Sequence, residues 1–171
     1  GPRRSTKPEV EKEPGAGQGF QAGQEMGAEL GKTVVSILGR ARPIASPLHM
    51  ASEITEVKNR WLPNEKIAIG WTAGAFGDSL CFAAFPGEPF VEHQITFREK
   101  SECADAMLFG DSYSAGGVWA GYLPTIPAAV EGGYGAGYNT TVEPGAGELL
   151  VDRAVVKLFQ LRGLLKDLPD P

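Results

Sequence analysis

Histidine and cysteine are scarce, with two of each among 171 residues. The two cysteines, Cys81 and Cys103, are too few for a disulfide framework or a cysteine zinc site. They read as buried thiols, because free cysteine behaves as a small hydrophobe, with a single pair as the alternative. His93 lies five residues after Glu88, which does not put the two on one helical face. It reads as an exposed or hydrogen-bonded residue near a helix start, and His49 reads similarly in a strand. No HExxH, GxSxG or GK[ST] motif is present. The glycine runs GYGAG and PGAGE lack the spacing of a dinucleotide loop that follows a strand and opens a helix. No apolar run approaches ~20 residues, so no transmembrane helix is expected. The first residues lack the apolar segment of a signal peptide. Positive charge is in deficit, at 16 Lys plus Arg against 21 Asp plus Glu, for a formal charge of −5. A nucleic-acid footprint needs clustered cations, so no nucleic-acid partner is expected.

What is present is globular in kind. Apolar residues make up 42% and charged residues 22% of the chain, which suits one domain or part of one. The 23 glycines and 13 prolines predict many tight turns. Residues 1–19 read as a disordered tail, rich in proline and charge and nearly without apolar side chains. Spacings of three to four between apolar residues predict a helix from Phe20 to about Arg40. Strands are predicted at Leu48–Val57, Lys66–Trp71, Ser79–Phe85 and Ala106–Phe109, with Thr72–Asp78 as a turn between the second and third. Pro89 suits the first position of a helix running from Phe90 to about Glu102. A short helical turn at Pro127–Glu131 and a strand at Asn139–Val142 lead to a closing amphipathic helix from Gly147 to Leu165. Leu150, Ala154, Leu158, Leu161 and Leu165 form the stripe of that last helix. The fold class expected from this order is α/β (α+β), a mixed β-sheet with helices packed on it.

The residues best placed for chemistry form a constellation. Glu88 follows a strand end through Pro86-Gly87, a rigid corner that aims a side chain outward. Tyr122 and Tyr134 sit in two glycine-rich loops, twelve residues apart. A carboxylate is a common zinc ligand, and a catalytic zinc site keeps one position open. A phenol can ligate a metal or donate to a developing oxyanion. The competing reading makes both tyrosines core aromatics with a polar tip at the surface.

The segments Ala84–Phe90 (AFPGEPF), Gly121–Thr125 (GYLPT), Tyr134, and Glu143–Glu148 (EPGAGE) together resemble the neutral/alkaline, non-lysosomal ceramidase family, nearest its bacterial branch. The resemblance spans about Phe20 to Leu165 and covers the C-terminal part of that family's catalytic domain, so residues 20–171 are expected to be a partial catalytic domain. The family's members are zinc amidases that cleave the N-acyl bond of ceramide into a fatty acid and a sphingoid base. The resemblance implies Glu88 and Tyr122 as zinc ligands. It implies Tyr134 as the catalytic residue that hydrogen-bonds the tetrahedral intermediate. The implied partner is an N-acyl lipid substrate, with association at a membrane surface and a secreted or periplasmic location. No partner protein is implied.

The chain departs from the family's pattern in three places. Gly117 and Trp119 stand where the family commonly has Asn and Tyr, Ser114–Gly117 lengthens the first loop, and Ile126-Pro127-Ala128 replaces an acidic stretch. The family's two histidine ligands and its Gly-Asp-x-Ser/Asn-Pro segment have no counterpart here. The isolated chain is therefore expected to be inactive, since zinc sites take about four ligands and lose affinity when some are missing. Two other readings stand beside this one. The first is a non-catalytic ceramidase-like binding module. The second is a zinc hydrolase for a different N-acyl substrate, with Phe109, Trp119 and Leu123 lining an apolar cleft.

Overall fold

The computed structural model describes residues 16–112 and 118–165. The greater part of the segment read as a tail, and the Ser114–Gly117 lengthening, lie outside them. The chain divides after Pro43 into two units. The first contains helix α1, Ala16–Leu38, which begins four residues inside the segment read as a tail. Among the described residues no helix is long and apolar enough to cross a membrane.

The second unit is an α+β fold built on a mixed sheet of four strands, β1 (Leu48–Lys58), β2 (Lys66–Phe76), β3 (Leu80–Ala84) and β5 (Asp105–Phe109), adjacent in that order. β1, β2 and β3 pair antiparallel, whereas β3 and β5 pair parallel. A parallel pair needs a crossover, and helix α2, Val91–Lys100, supplies it. Between β3 and α2 lies the two-residue strand β4, Glu88–Pro89. It pairs in parallel with a second short strand, β6, Tyr122–Leu123. Helix α3 spans Ile126–Glu131 and α4 spans Ala146–Leu161.

Strand alternation sorts the side chains into two faces. Val57, Ile69, Trp71, Ala73, Cys81, Ala83 and Ala106 point into the core, where they meet Phe97 of α2 and Leu150, Ala154 and Leu158 of α4. The stripe expected on α4 is buried at those three residues, while the helix ends at Leu161 and leaves Leu165 beyond it. The opposite sheet face carries Met50, Ile54, Met107 and Phe109, all exposed.

Three local expectations need correction. Thr72–Phe76 continues β2 rather than turning. Its small residues serve packing: Ala73 and Ala75 are buried, and Gly74 lies under the Phe82 ring, 2.4 Å from where a Cβ would stand. Pro89 belongs to β4, and α2 starts two residues later with Phe90 at its N-cap. Asn139–Val142 forms isolated bridges, Gly121 with Thr140 and Asn59 with Val142, in place of a strand.

Cys81 and Cys103 are joined as a disulfide, not left as thiols. The bridge ties the middle of β3 to the segment entering β5, and their Cα atoms are 6.0 Å apart. Beside it, Arg162 reaches from the end of α4 to donate to the carbonyls of Ser101 at 2.7 Å and Glu102 at 3.0 Å, and to Asp78. The bridge and the arginine together fasten the crossover that carries β4.

Candidate functional site

The Pro86-Gly87 corner is clamped from two sides. The Asp111 amide donates to the Gly87 carbonyl at 2.7 Å, and the Ala120 amide donates to the Pro86 carbonyl at 2.8 Å. Only glycine fits at position 87, because a Cβ there would lie 2.6 Å from the Gly121 carbonyl oxygen. From this corner β4 lies against β6, with Glu88 opposite Tyr122 in register. The Glu88 amide donates to the Gly121 carbonyl at 3.0 Å and the Phe90 amide to the Leu123 carbonyl at 3.1 Å. Parallel neighbours in register present their side chains on the same face, so the Glu88 carboxylate and the Tyr122 phenol stand side by side.

Tyr134 reaches the same place from the next loop. The Gly137 amide donates to the Gly133 carbonyl at 2.7 Å and closes a tight turn. Gly135, at φ 77°, takes a backbone conformation open to glycine, and a Cβ on it would press the Tyr122 ring at 3.0 Å. The Tyr134 ring meets the Tyr122 ring edge-on, with centroids 5.4 Å apart and planes at 69°. Phe90 flanks Tyr122 at 6.2 Å, and Tyr138 flanks Tyr134 at 5.7 Å. Such offset contacts fix ring positions without burying the hydroxyls, and Tyr134 stays 67% exposed.

The structure thus brings together all three residues singled out from the sequence. Tyr122 stands between the other two, opposite Glu88 in register and against the Tyr134 ring. Hydrogen bonding to the Glu88 carboxylate, then hydrogen bonding with the Tyr134 hydroxyl, then removal from water hold its proton far above the ordinary tyrosine value of 10. Of the two tyrosines, Tyr134 is exposed and departs from the reading as a core aromatic, whereas Tyr122 is half-buried with its ring packed among neighbours.

Two acidic residues of the EPGAGE segment have anchoring roles. Glu143 accepts the Lys58 amide at 2.9 Å, tying the segment to the end of β1. Glu148 accepts the Ile126 amide at 2.7 Å, so the first turn of α4 holds α3, whose end leads into the Tyr134 loop. Thr125 caps α3 by accepting the Ala128 amide.

Beside Glu88 lies a cleft of about 290 Å³, lined among others by Phe90, Val91, Gln94, Leu108 and Asp111. The Gln94 amide is spent on the backbone of β5, donating to the Ala106 carbonyl and accepting the Leu108 amide. Asp111, at φ 51°, was not a candidate from the sequence. The only local signal for it is a Gly-Asp pair directly after a strand.

The remaining candidates lie elsewhere. His93 is 2% exposed, and its Nε2 has no hydrogen-bond partner among the described residues. It is therefore neither exposed nor hydrogen-bonded through that atom, and it packs against the Gly147 backbone, where a Cβ would come within 2.3 Å of Nε2. Leu123 is fully buried core. Phe109 packs edge-on against Phe82 on the open sheet face, 6.3 Å between centroids.

A divalent cation fits Glu88 and Tyr122 in chemistry, as a carboxylate beside a phenol that becomes anionic on losing its proton. Among the described residues, no cluster of three His, Cys, Asp or Glu adds to them. The described residues therefore offer a partial donor set by comparison with the three protein ligands of a catalytic zinc site. No protein-family model, no curated protein and no solved structure matches the chain.

Proposed function

We propose that this chain is part of a zinc-dependent amidase that hydrolyses the N-acyl bond of ceramide or a related N-acyl lipid. The observation that carries the reading is the meeting of Glu88, Tyr122 and Tyr134, which come from three separate segments: their register across β4 and β6 and the 5.4 Å ring contact. These are the three residues that the ceramidase resemblance picks out.

Glu88 and Tyr122 would hold the metal, with the remaining ligands supplied from outside this chain. Zinc held there would lower the pKa of a bound water toward ~7 and polarise the amide carbonyl. Tyr122 would hold the metal as a phenolate, its proton passing to solvent, so that metal uptake would be coupled to proton release. Tyr134, exposed and held by its neighbours' rings, would donate a hydrogen bond to the oxyanion formed on attack at the carbonyl. The clamped Pro86-Gly87 corner keeps Glu88 in place while charge changes around it.

The test is amide turnover by the zinc-loaded product of the complete open reading frame, with ceramide and short N-acyl amides as substrates. Turnover lost in Glu88→Ala and reduced about 10²–10³-fold in Tyr134→Phe is the expected result. Turnover that survives Glu88→Ala contradicts the proposal. A second reading, a binding module that keeps the fold without the chemistry, is favoured by the partial donor set among the described residues. A complete protein that purifies without tightly bound zinc supports it.

A further inference from the structure

The loop that carries Tyr134 has little rigidity of its own. Gly132, Gly133 and Gly135 all have positive φ, at 80°, 88° and 77°, and glycine loses more conformational freedom on folding than any other residue. The loop is closed on itself by the Gly137–Gly133 hydrogen bond and by a bridge between Tyr134 and Tyr138. Neither contact ties it to the rest of the fold, and burial does not hold the exposed Tyr134.

The connection from β1 to β2 supplies that tie. It is stiff, because the Asn59 Oδ1 accepts the amides of Trp61 at 2.9 Å and Leu62 at 3.1 Å, and the Glu65 carbonyl accepts the Asn59 amide at 2.9 Å. It is pinned to the backbone that follows the Tyr134 loop. The Arg60 amide donates to the Thr141 carbonyl at 2.9 Å, and the Trp61 indole N–H donates to the Thr140 carbonyl at 2.7 Å. From this base the Arg60 guanidinium reaches into the loop and donates to the Ala136 carbonyl at 2.7 Å, two residues from Tyr134. Ala136 is buried, so the bond is both charge-assisted and shielded from water. The Trp61 ring, with its centroid 5.3 Å from the guanidinium carbon, steadies the arginine. Among the described residues, no other side chain from outside the loop donates to the backbone of residues 132–138.

We propose that Arg60 is the positioning residue for Tyr134: through the Ala136 carbonyl it holds the loop so that the Tyr134 ring stays against Tyr122 and its hydroxyl faces the reacting oxygen. Without that donor the Ala136 carbonyl is left buried and unpaired, a cost the loop relieves by moving outward. The catalytic use of this placement rests on the amidase reading; the placement itself does not.

Two measurements test it. The first is NMR spectroscopy of the full chain. One Gly135 Hα points at the Tyr122 ring, where a Cβ would lie 3.0 Å away, so its resonance is displaced by that ring's current. Arg60→Met, which keeps the aliphatic stem, should return this resonance to the ordinary glycine range and abolish the cross-relaxation between the Tyr122 and Tyr134 rings, whose centroids are 5.4 Å apart. Arg60→Gln, too short to reach, should do the same and serves as the second loss variant. Arg60→Lys, which keeps a cationic donor, should retain both signals. Cooperative unfolding verifies that each variant folds. The second measurement is amide turnover by the zinc-loaded product of the complete open reading frame. Arg60→Met should lower kcat about tenfold with KM unchanged, Arg60→Lys should recover most of the loss, and Arg60→Met should add nothing in a Tyr134→Phe background. Ring signals that Arg60→Met and Arg60→Gln leave unmoved, or a loss of turnover that multiplies with that of Tyr134→Phe, overturn the proposal. A wild type without turnover defeats the amidase reading alone, because the ring signals decide the placement without it.

Discussion

Removing the Cys81–Cys103 bridge is expected to cost the fold about 3 kcal/mol. The two cysteines are 22 residues apart in sequence. In the chain-entropy treatment, opening a loop of that length returns about 11 cal/mol/K to the unfolded chain, or about 3.4 kcal/mol at 25 °C. The closed loop contains the Pro86-Gly87 corner, β4 and α2, so the bridge constrains the segment that presents Glu88. Cys81 is fully buried on the core face of β3, and alanine there replaces a sulfur with a small cavity of little further cost. The assay is chemical denaturation of wild type and of the Cys81→Ala/Cys103→Ala double variant. The variant should lose about 3 kcal/mol and melt about 10 °C lower. Thiol titration of the unfolded, unreduced wild type should find no free thiol. Equal stability of the two proteins, or two titratable thiols in the wild type, would refute the reasoning.

Other expectations follow from named contacts. Gly135→Ala must adopt φ 77° and press the Tyr122 ring at 3.0 Å, so it should destabilise by about 1–2 kcal/mol. It should also alter the aromatic NMR resonances of Tyr122 and Tyr134, whereas Gly132→Ala, at φ 80° with open space around it, should show the strain without the ring shifts. Arg162→Met keeps an apolar stem but loses charge-assisted bonds to the Ser101 and Glu102 carbonyls. It should cost about 1.5–3 kcal/mol by chemical denaturation, and a neutral result would mean those carbonyls find other donors. In an ultraviolet titration the Tyr122 phenol should ionise above its ordinary value of 10, and Glu88→Gln should bring it back toward 10. The sign follows from the raised value: the stabilisation from its held proton is fully present below pH 10 and is lost as pH rises through the folded-state value. A Tyr122 ionisation that Glu88→Gln leaves unmoved would show that Glu88 and Tyr122 do not interact.

Elements with strong local periodicity were legible in the sequence, and those defined by long-range contact were not. β1, α2, β5 and α4 follow from apolar spacing and punctuation, and their bounds shift by only a few residues. The second half of β2 was hidden because Thr-Ala-Gly-Ala resembles turn composition; its reason is the Phe82 ring, which comes from the neighbouring strand. β4 and β6 are each two residues long, too short for any period, and their pairing depends on glycine at 87 and 121. The cysteine pair was open for the same reason, since sequence separation carries no information on the 6.0 Å between Cα atoms. At the site, Pro-Gly before Glu88 and glycine around Tyr134 marked where backbone comes close. Asp111 gave almost no signal, and the surface of Trp61 against the Tyr134 loop arises only when residues 79 positions apart meet.

The most direct measurement is Co²⁺ or Zn²⁺ binding to the chain, followed by calorimetry and by the cobalt absorption spectrum. A single weak site is expected, with proton release that grows tighter as pH rises, and it should be lost in both Glu88→Gln and Tyr122→Phe but retained in His93→Gln. Metal uptake indifferent to Glu88 and Tyr122, or dependent on His93 in their place, would contradict the assignment of that carboxylate and that phenol to a shared cation.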